Sequence, residues 1–597
     1  MWRLLREGDV NMNIKMLMKQ ASYVLLCSAL LTACSQGNTQ TSGASTEAVA
    51  ATAAADTSSA QTLGYVKEMD KTKIMSFSVD VDEAKWQEML DNAAEEEYIS
   101  ADVTINGTTI KNVGIRPKGN SSLKQVVSDD TTDRYSFKIK FDEYVDGQTW
   151  MGLDKIVVNN MQSDSSYMKE YLSYDIMSYI GVDAPLYAFA DIQVNGESWG
   201  FYLAVEVIDG SYLDRTKDGE GELYKPNNDG DMPGDMGKMG NAPGANGETA
   251  GAGAQGATGD AGATGATPPQ IPSGDAATQQ TGMPPMDGNG NRGPGGGGMN
   301  GAQNGVSLVY TDDEVSSYSA IFDNAETKTD ETDYERVIAA LKNLSTGTDL
   351  ESSVDVDAVL KYFAAHTVVV NMDSYTSNMG HNYYLYENDG QLSMLPWDYN
   401  MAFGGFQGGS ASDVVNQAID TPLSGVSLED RPILGKLLEV PEYMEKYHEY
   451  LQEIVDGYFA DGKFEQTVAN LDQLISSHVQ NDPSAFNTYD EYKAAVTELT
   501  KLGTLRSESI QGQLNGEIPS TTDGQKADAS TLIDASTVDL SKMGNGMGKG
   551  GPGGKDGFGS GQGRFPNGMN GGNGGNQPST EQGSEAAGQA ASTPANE

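Results

Sequence analysis

Two aspartates and two asparagines near the middle of the chain have the types and spacing to hold a divalent cation and take a proton from a hydroxyl. Asp373 precedes Asn378 with four residues between them, and Asn382 and Asp398 flank a stretch patterned as a tight β-hairpin. Residues 383–386 are a β-prone aromatic run, Asn388-Asp389-Gly390 is a turn signal, and the return carries Leu392, Met394 and Pro396 at alternate positions. If the turn falls on Asp389-Gly390, Asp398 stands opposite His381; a three-residue loop moves that partner by one position. Paired strands lie about 5 Å apart, so Asp398 and Asn382 come close together, with Asp373 a few residues before. Carboxylate and amide oxygens so placed suit a hard cation such as Mg²⁺. His381 reads as a packed or hydrogen-bonding residue, because the chain has four histidines and no second His or Cys site beside it.

The elements that must position these groups lie upstream. Residues 76–81 alternate as a strand, and 82–94 read as a helix that Asp82 caps. Strands over 101–105 and 108–115 flank the hairpin turn Asn106-Gly107 and run into Arg116-Pro117-Lys118-Gly119-Asn120-Ser121-Ser122. In the next strand, 135–141, Phe137, Ile139 and Phe141 face one way and Lys138 and Lys140 the other. Lys138 and Lys140, with Arg116 and Lys118, form a basic cluster in a chain of 85 acidic and 38 basic residues; the plainer reading is lysines protecting a sheet edge. A helix over 167–180 carries Glu170 in its first turns and stops at Gly181. Strands 188–194 and 199–207, joined by Asn195-Gly196, end near Glu206 and Val207.

Composition bounds the rest. The net charge of −47 excludes nucleic acid and anionic lipid as general partners. Lys15 and Lys19 precede an apolar run over 21–31, too short to span a bilayer, which ends in Leu31-Thr32-Ala33-Cys34. This resembles the lipobox of bacterial lipoproteins, which implies export and a lipid anchor on Cys34, with the protein facing outward from the bacterial membrane. Cys27 would leave with the signal, so no disulfide pair remains and stability must come from a core. The expected organisation is a signal over 1–34, a flexible tether over 35–62, a β-rich part over 63–225, a disordered Gly/Pro/Ala-rich insertion over 226–305, a helical part over 306–518 and a low-complexity tail over 519–597.

A β-rich part with one internal helix, a connector, then a helical part holding an Asp loop and a metal-Asp hairpin is the layout of a protein kinase. The expected fold class is therefore α+β: a two-lobed protein-kinase-like fold with a β-rich N-lobe and a mainly helical C-lobe. Separately, residues 114–122, residues 135–141, Gly200-Phe201-Tyr202-Leu203 with Glu206, Asp373, residues 381–386 and Pro396-Trp397-Asp398 resemble the spore coat protein H (CotH) family of atypical kinase-like proteins. The resemblance implies transfer of a phosphoryl group from ATP to Ser or Thr of an envelope or cell-surface protein, with Mg²⁺ or Mn²⁺.

In that reading Asp373 is the catalytic base and Asp398 holds the metal, with Asn382 or Asn378 as second ligand. Lys138 or Lys140 holds the phosphates and pairs with Glu170, while Arg116, Lys118 or the loop around Ser121 covers them, and Glu206 stands where a hinge would meet adenine. The chain departs from ordinary kinases: no His-Arg precedes Asp373, no kinase-type Gly-rich loop exists, and Tyr399-Asn400 follows Asp398. The protein is expected to be a monomer. The competing expectation is a non-catalytic surface lipoprotein, a scaffold or adhesin, since an exported protein meets little ATP.

Overall fold

The computed structural model of the chain describes residues 63–227 and 305–544. The expected signal with Cys34, the tether, and most of the insertion and of the low-complexity tail lie outside the described residues.

Seven strands close on themselves, β1 and β2 alternating buried with more exposed positions and β7 buried on both faces over its last seven residues: β1 (Met75–Asp80), β2 (Ile99–Ile105), β3 (Thr108–Lys118), β4 (Ser136–Lys140), β5 (Lys155–Asn159), β6 (Tyr187–Val194) and β7 (Glu197–Glu206). Their order around the barrel is β1-β2-β3-β4-β5-β7-β6. Every pairing is antiparallel except the closing one, where β1 runs parallel to β6 with Met75 against Ala190 and Val79 against Val194. The two tight hairpins form at Asn-Gly pairs because both turn positions need positive φ: Asn106 and Gly107 at 48° and 83°, Asn195 and Gly196 at 51° and 85°. Phe77, Val103, Ile105, Ile115, Phe137, Ile139, Ile156, Val158 and Ala204 fill the interior. Trp86 of α1 (Glu83–Asp91) joins them, 5.3 Å from Phe137 and 5.2 Å from Trp199 between ring centroids.

This closed barrel corrects the expected two-lobed protein-kinase-like fold. Alternation in strands such as β1 and β2 shows which face is apolar, but not that the first strand returns to pair with the sixth. The outer face of the barrel is also apolar where it meets the helices. Val157, Phe189, Phe201, Leu203 and Val205 share one core with Tyr362, Phe363, Leu437 and Leu451 of the later helices, so barrel and helices are fused through a continuous core.

Around the barrel lie α2 (Ser121–Val127), α3 (Lys169–Tyr179) and α4 (Gly210–Thr216). The later part of the chain adds α5 (Glu331–Thr346), α6 (Val356–Val369), α7 (Pro432–Leu438), α8 (Pro441–Ile454), α9 (Lys463–Asn481) and α10 (Tyr489–Leu514). Asp330 and Asp333 cap α5 reciprocally, and Thr488 and Glu491 do the same for α10. From Val359 to Val369 every residue of α6 but Lys361 is buried, as expected of a helix apolar on all sides.

A three-stranded sheet, β10-β9-β8, packs beside it, made from β8 (Glu222–Tyr224), β9 (Tyr383–Asn388) and β10 (Gln391–Pro396). Asp389 and Gly390, at φ 50° and 87°, form the turn. Gln391 faces Asn388 and Pro396 faces Tyr383, a register that continued two residues sets Asp398 opposite His381. After α10 the chain runs back across the helices, with Asp420 N–H donating to Ser520 O at 2.9 Å and Met543 buried in the core. No helix among the described residues is long and apolar enough to cross a membrane.

Candidate functional site

The acidic side of the site is built where α6 ends. Val370 adopts a left-handed conformation that stops the helix, and the buried Asn371 follows. Its Oδ1 accepts the Asp373 N–H at 3.2 Å and its Nδ2 reaches the Asp398 carbonyl at 3.5 Å, so one amide ties the Asp373 loop to the foot of the hairpin. Asn382 donates through Nδ2 to the Asp373 carbonyl at 2.9 Å and to Asp373 Oδ2 at 3.2 Å, while His381 Nε2 lies 2.7 Å from Asp373 Oδ1. Asn382 and Asp398, one at each foot of the hairpin, sit at φ 58° and 60°. Asn and Asp tolerate that region best, and strained positions of this kind gather at functional sites.

A relay of hydrogen bonds joins this carboxylate pair to the barrel. Lys118, the last residue of β3, donates to Asn159 Oδ1 at 3.0 Å; Asn159 Nδ2 donates to Glu170 Oε2 at 2.9 Å. The Tyr174 hydroxyl, one turn along α3, donates to Glu170 Oε1 at 3.0 Å and accepts the Asp398 N–H at 3.1 Å. Burial, together with the charge of Asp398, pushes the Glu170 carboxyl up to about 7, against the bonds from Asn159 and Tyr174 and the charge of Lys118. Asp398 is raised as well, first by burial and then by Asp373, while Lys118, Lys225 and His381 favour its charged form. Its carboxylate makes no hydrogen bond among the described residues.

The cations come from the outer face of the barrel and from the chain after β8. Lys138 faces Arg116 across the β3–β4 ladder and has no ion pair or hydrogen bond among the described residues. Burial, reinforced by Lys155, Arg116 and Lys225, lowers its ammonium to about 8. Lys225 follows β8 directly and lies 5.2 Å from the ring centroids of both Tyr384 and Trp397. Burial lowers it too, with Lys118 and Arg116 adding and Glu326 and Asp398 opposing. Lys118 approaches the same Trp397 ring at 5.9 Å.

The structure therefore brings together Asp373, Asn382, Asp398, Glu170 and Lys118, and places Lys138 and Arg116 within electrostatic reach of Lys225. Arg116 is partly engaged, pairing with Glu96 and stacking over Tyr98 at 5.3 Å. Lys140 is held by Glu143 at 2.9 Å, and no hydrogen bond or ion pair joins it to Glu170. Asn378 is exposed beside Gly425 and makes no hydrogen bond to either aspartate. Ser121 is the exposed first residue of α2. Glu206 is fully buried and saturated by four donors: Tyr65 Oη at 2.7 Å, Leu186 N at 2.8 Å, and Arg215 Nε and Nη2 at 3.0 and 2.6 Å.

Sequence reasoning passed over Asn159, Tyr174, Asn371 and Lys225. Asn371 had a signal, an amide two residues before Asp373 at the end of an apolar helix; Asn159 ends a five-residue strand too short to stand out.

Among the described residues, no group of three or more His, Cys, Asp or Glu side chains is arranged to hold a metal ion by itself. The residues present fit a cation that arrives with its ligand. Asp398 offers an unengaged carboxylate, and Asn382, whose amide nitrogen is turned to Asp373, has an Oδ1 that accepts no hydrogen bond among the described residues. Mg²⁺ is commonly held by one or two such groups, with water and phosphate oxygens completing its shell.

A family model described as CotH kinase protein matches residues 115–510, a span that contains every residue of this site, and the chain belongs to that family. Among individual proteins, the inner spore coat protein H of Bacillus subtilis (strain 168) is 34% identical over 77 residues, or 13% of this chain. That match covers 21% of the relative's own length.

Proposed function

We propose that the chain is a metal-dependent protein kinase that transfers the γ-phosphoryl group of ATP to Ser or Thr of an extracytoplasmic protein. The observation that carries the reading is the Lys118–Asn159–Glu170–Tyr174–Asp398 relay, which sets cations and an unengaged carboxylate on the two sides of one site. Phosphoryl transfer needs positioning and charge stabilisation more than covalent help. Bound Mg²⁺ or Mn²⁺ would supply charge neutralisation for the transferring phosphoryl group.

Asp398 and the Asn382 Oδ1 would hold that ion. Asp373, oriented by His381 and Asn382, aligns the incoming hydroxyl and accepts its proton at a carboxylate oxygen. Lys118, Lys138 and Lys225 receive the phosphate oxygens, and Glu170 keeps Lys118 in place through Asn159. The relative's name carries a spore coat, and the N-terminal lipobox-like run suggests export; together they favour action outside the cytoplasm, on a coat, envelope or cell-surface protein, with Cys34 as lipid anchor and no role for nucleic acid.

The test is labelled ATP with Mg²⁺ or Mn²⁺ and a generic protein substrate. Wild type transfers label, and Asp373→Ala and Asp398→Ala each lose about a thousandfold or more. Folded wild type that transfers nothing, or transfer unchanged in both variants, overturns the reading. Nucleotide-dependent thermal stabilisation without transfer would identify a non-catalytic binding module instead.

A further inference from the structure

Lys169 immediately precedes Glu170, and its side chain is fully buried with no carboxylate of the described residues at hydrogen-bond distance from the ammonium. An ammonium has three donors; two are satisfied by carbonyls, Ser163 O and Gly544 O, both at 3.1 Å. One of these acceptors is 375 residues away in sequence. The loop following Asp398 packs on the same group: a Cβ on Gly405 would stand 3.1 Å from Lys169 Nζ. Three segments thus meet at one buried charge, beside a residue of the relay.

Gly544 ends a short run that is itself well anchored. Asp539 N–H donates to Glu498 Oε2 at 3.0 Å, Met543 is 1% exposed, and the Met543 carbonyl accepts the Ser165 N–H at 3.1 Å. Gly544 has φ 79°, and a Cβ there would meet Ser163 O at 2.6 Å and Ser165 N at 3.0 Å. The loop it touches is strained: Met161, Ser163 and Tyr167 all have positive φ, at 61°, 66° and 61°. That loop delivers the first turn of α3, where Asp164 accepts the Ser166 and Lys169 N–H groups at 2.9 and 2.8 Å. Residues 539–544 lie beyond the family match, which ends at 510.

We propose that residues 539–544 are a positioning strap: Gly544 O, acting through Lys169, fixes the first turn of α3 and so sets Glu170 against Asn159 and Tyr174. The relay is complete only with the strap seated. Lys169 is a positioning residue, and its effect on turnover rests on the phosphoryl-transfer reading above.

The test uses the full chain with Lys169→Met, Gly544→Val and the double variant, read by hydrogen exchange over residues 163–174 and by kcat/KM for ATP. Each single variant raises exchange in that segment and lowers kcat/KM about tenfold or more, and the double variant is no worse than the more impaired single, because both break one contact. Lys526→Ala, which removes an exposed charge outside the strap, paired with the exposed Asp523, stays within about twofold of wild type.

Exchange unchanged over 163–174 in Gly544→Val, or losses that multiply in the double variant, overturns the strap. If Lys169→Met does not fold, Gly544→Val decides alone. Raised exchange with no phosphoryl transfer even in wild type supports the strap and rejects the kinase reading.

Discussion

Glu206, at the end of β7, and Glu170, at the start of α3, are both buried glutamates, and the fold treats them in opposite ways. Glu206 meets Arg215 directly at 2.6 and 3.0 Å and takes two further donors. Among the described residues Glu170 meets only an amide and a hydroxyl, and its cation, Lys118, is one residue removed, behind Asn159. A direct and saturated pair leaves no charge to offer a ligand. A relayed pair leaves Lys118 with donors to spare and Glu170 near its titration point, as a site that must accept polyanion and cation together requires.

The largest effect expected of this contrast is on stability. Arg215→Met strands the Glu206 charge in the core and should cost about 3–5 kcal/mol, the usual penalty for breaking a buried pair from one side; equilibrium urea unfolding reads it directly, and a loss under 1 kcal/mol would mean Glu206 is not locked as described.

Glu170→Gln should do the reverse: the variant is at least as stable as wild type at pH 7, yet transfers phosphate about 10–100-fold more slowly. The pH dependence has a definite sign. Folding raises the Glu170 carboxyl from 4.5 to about 7, so the native state binds more protons than the unfolded one between those values. Wild type therefore loses stability relative to Glu170→Gln as pH rises from about 4.5 to about 7, on the order of 1–3 kcal/mol, with the difference constant below and above. A flat difference across that window would contradict the raising of Glu170 by burial and by the charge of Asp398.

Asn159→Ala, which removes the amide between the two charges, should cost about 1–2 kcal/mol and reduce the thermal upshift given by ATP and metal. Retention of the full upshift would show that Lys118 needs no relay. The smallest effects separate the two lysines of β4. Lys140→Ala, losing a partly exposed pair with Glu143, changes stability by about 0.5 kcal/mol or less and leaves transfer at the wild-type rate, whereas Lys138→Ala lowers kcat/KM severalfold.

Much of the hairpin was legible in the sequence, because its turn needs two positive-φ residues and Asp389-Gly390 supplies them; the register, which brings Asp398 and Asn382 to the two feet of the hairpin, follows. The strands of the barrel were legible one at a time for the same local reasons, except β5. Its closure was not, since the parallel pairing of β1 with β6 is a long-range event with no local mark, and the kinase-like two-lobed arrangement was inferred in its place. The same limit applies to charge pairing. Lys138 and Lys140 alternate with the core residues of β4 and look equivalent, but Glu143, three residues on, takes Lys140, while Lys138 has no ion pair among the described residues. Glu206 is the same residue type as Glu170, and only the arrival of Arg215 from α4 shows that its carboxylate is saturated. Lys225 sits at the edge of a low-complexity run, and nothing nearby in sequence hints at Trp397 and Tyr384.

The most direct test of the site is calorimetric titration of the purified chain with a non-hydrolysable ATP analogue, with and without Mg²⁺, in wild type and Asp398→Asn. The relay and its unengaged carboxylate require binding that strengthens about tenfold or more with Mg²⁺ in wild type and loses that metal dependence in Asp398→Asn. Equal affinity with and without Mg²⁺ in wild type, or an undiminished metal effect in the variant, would contradict it.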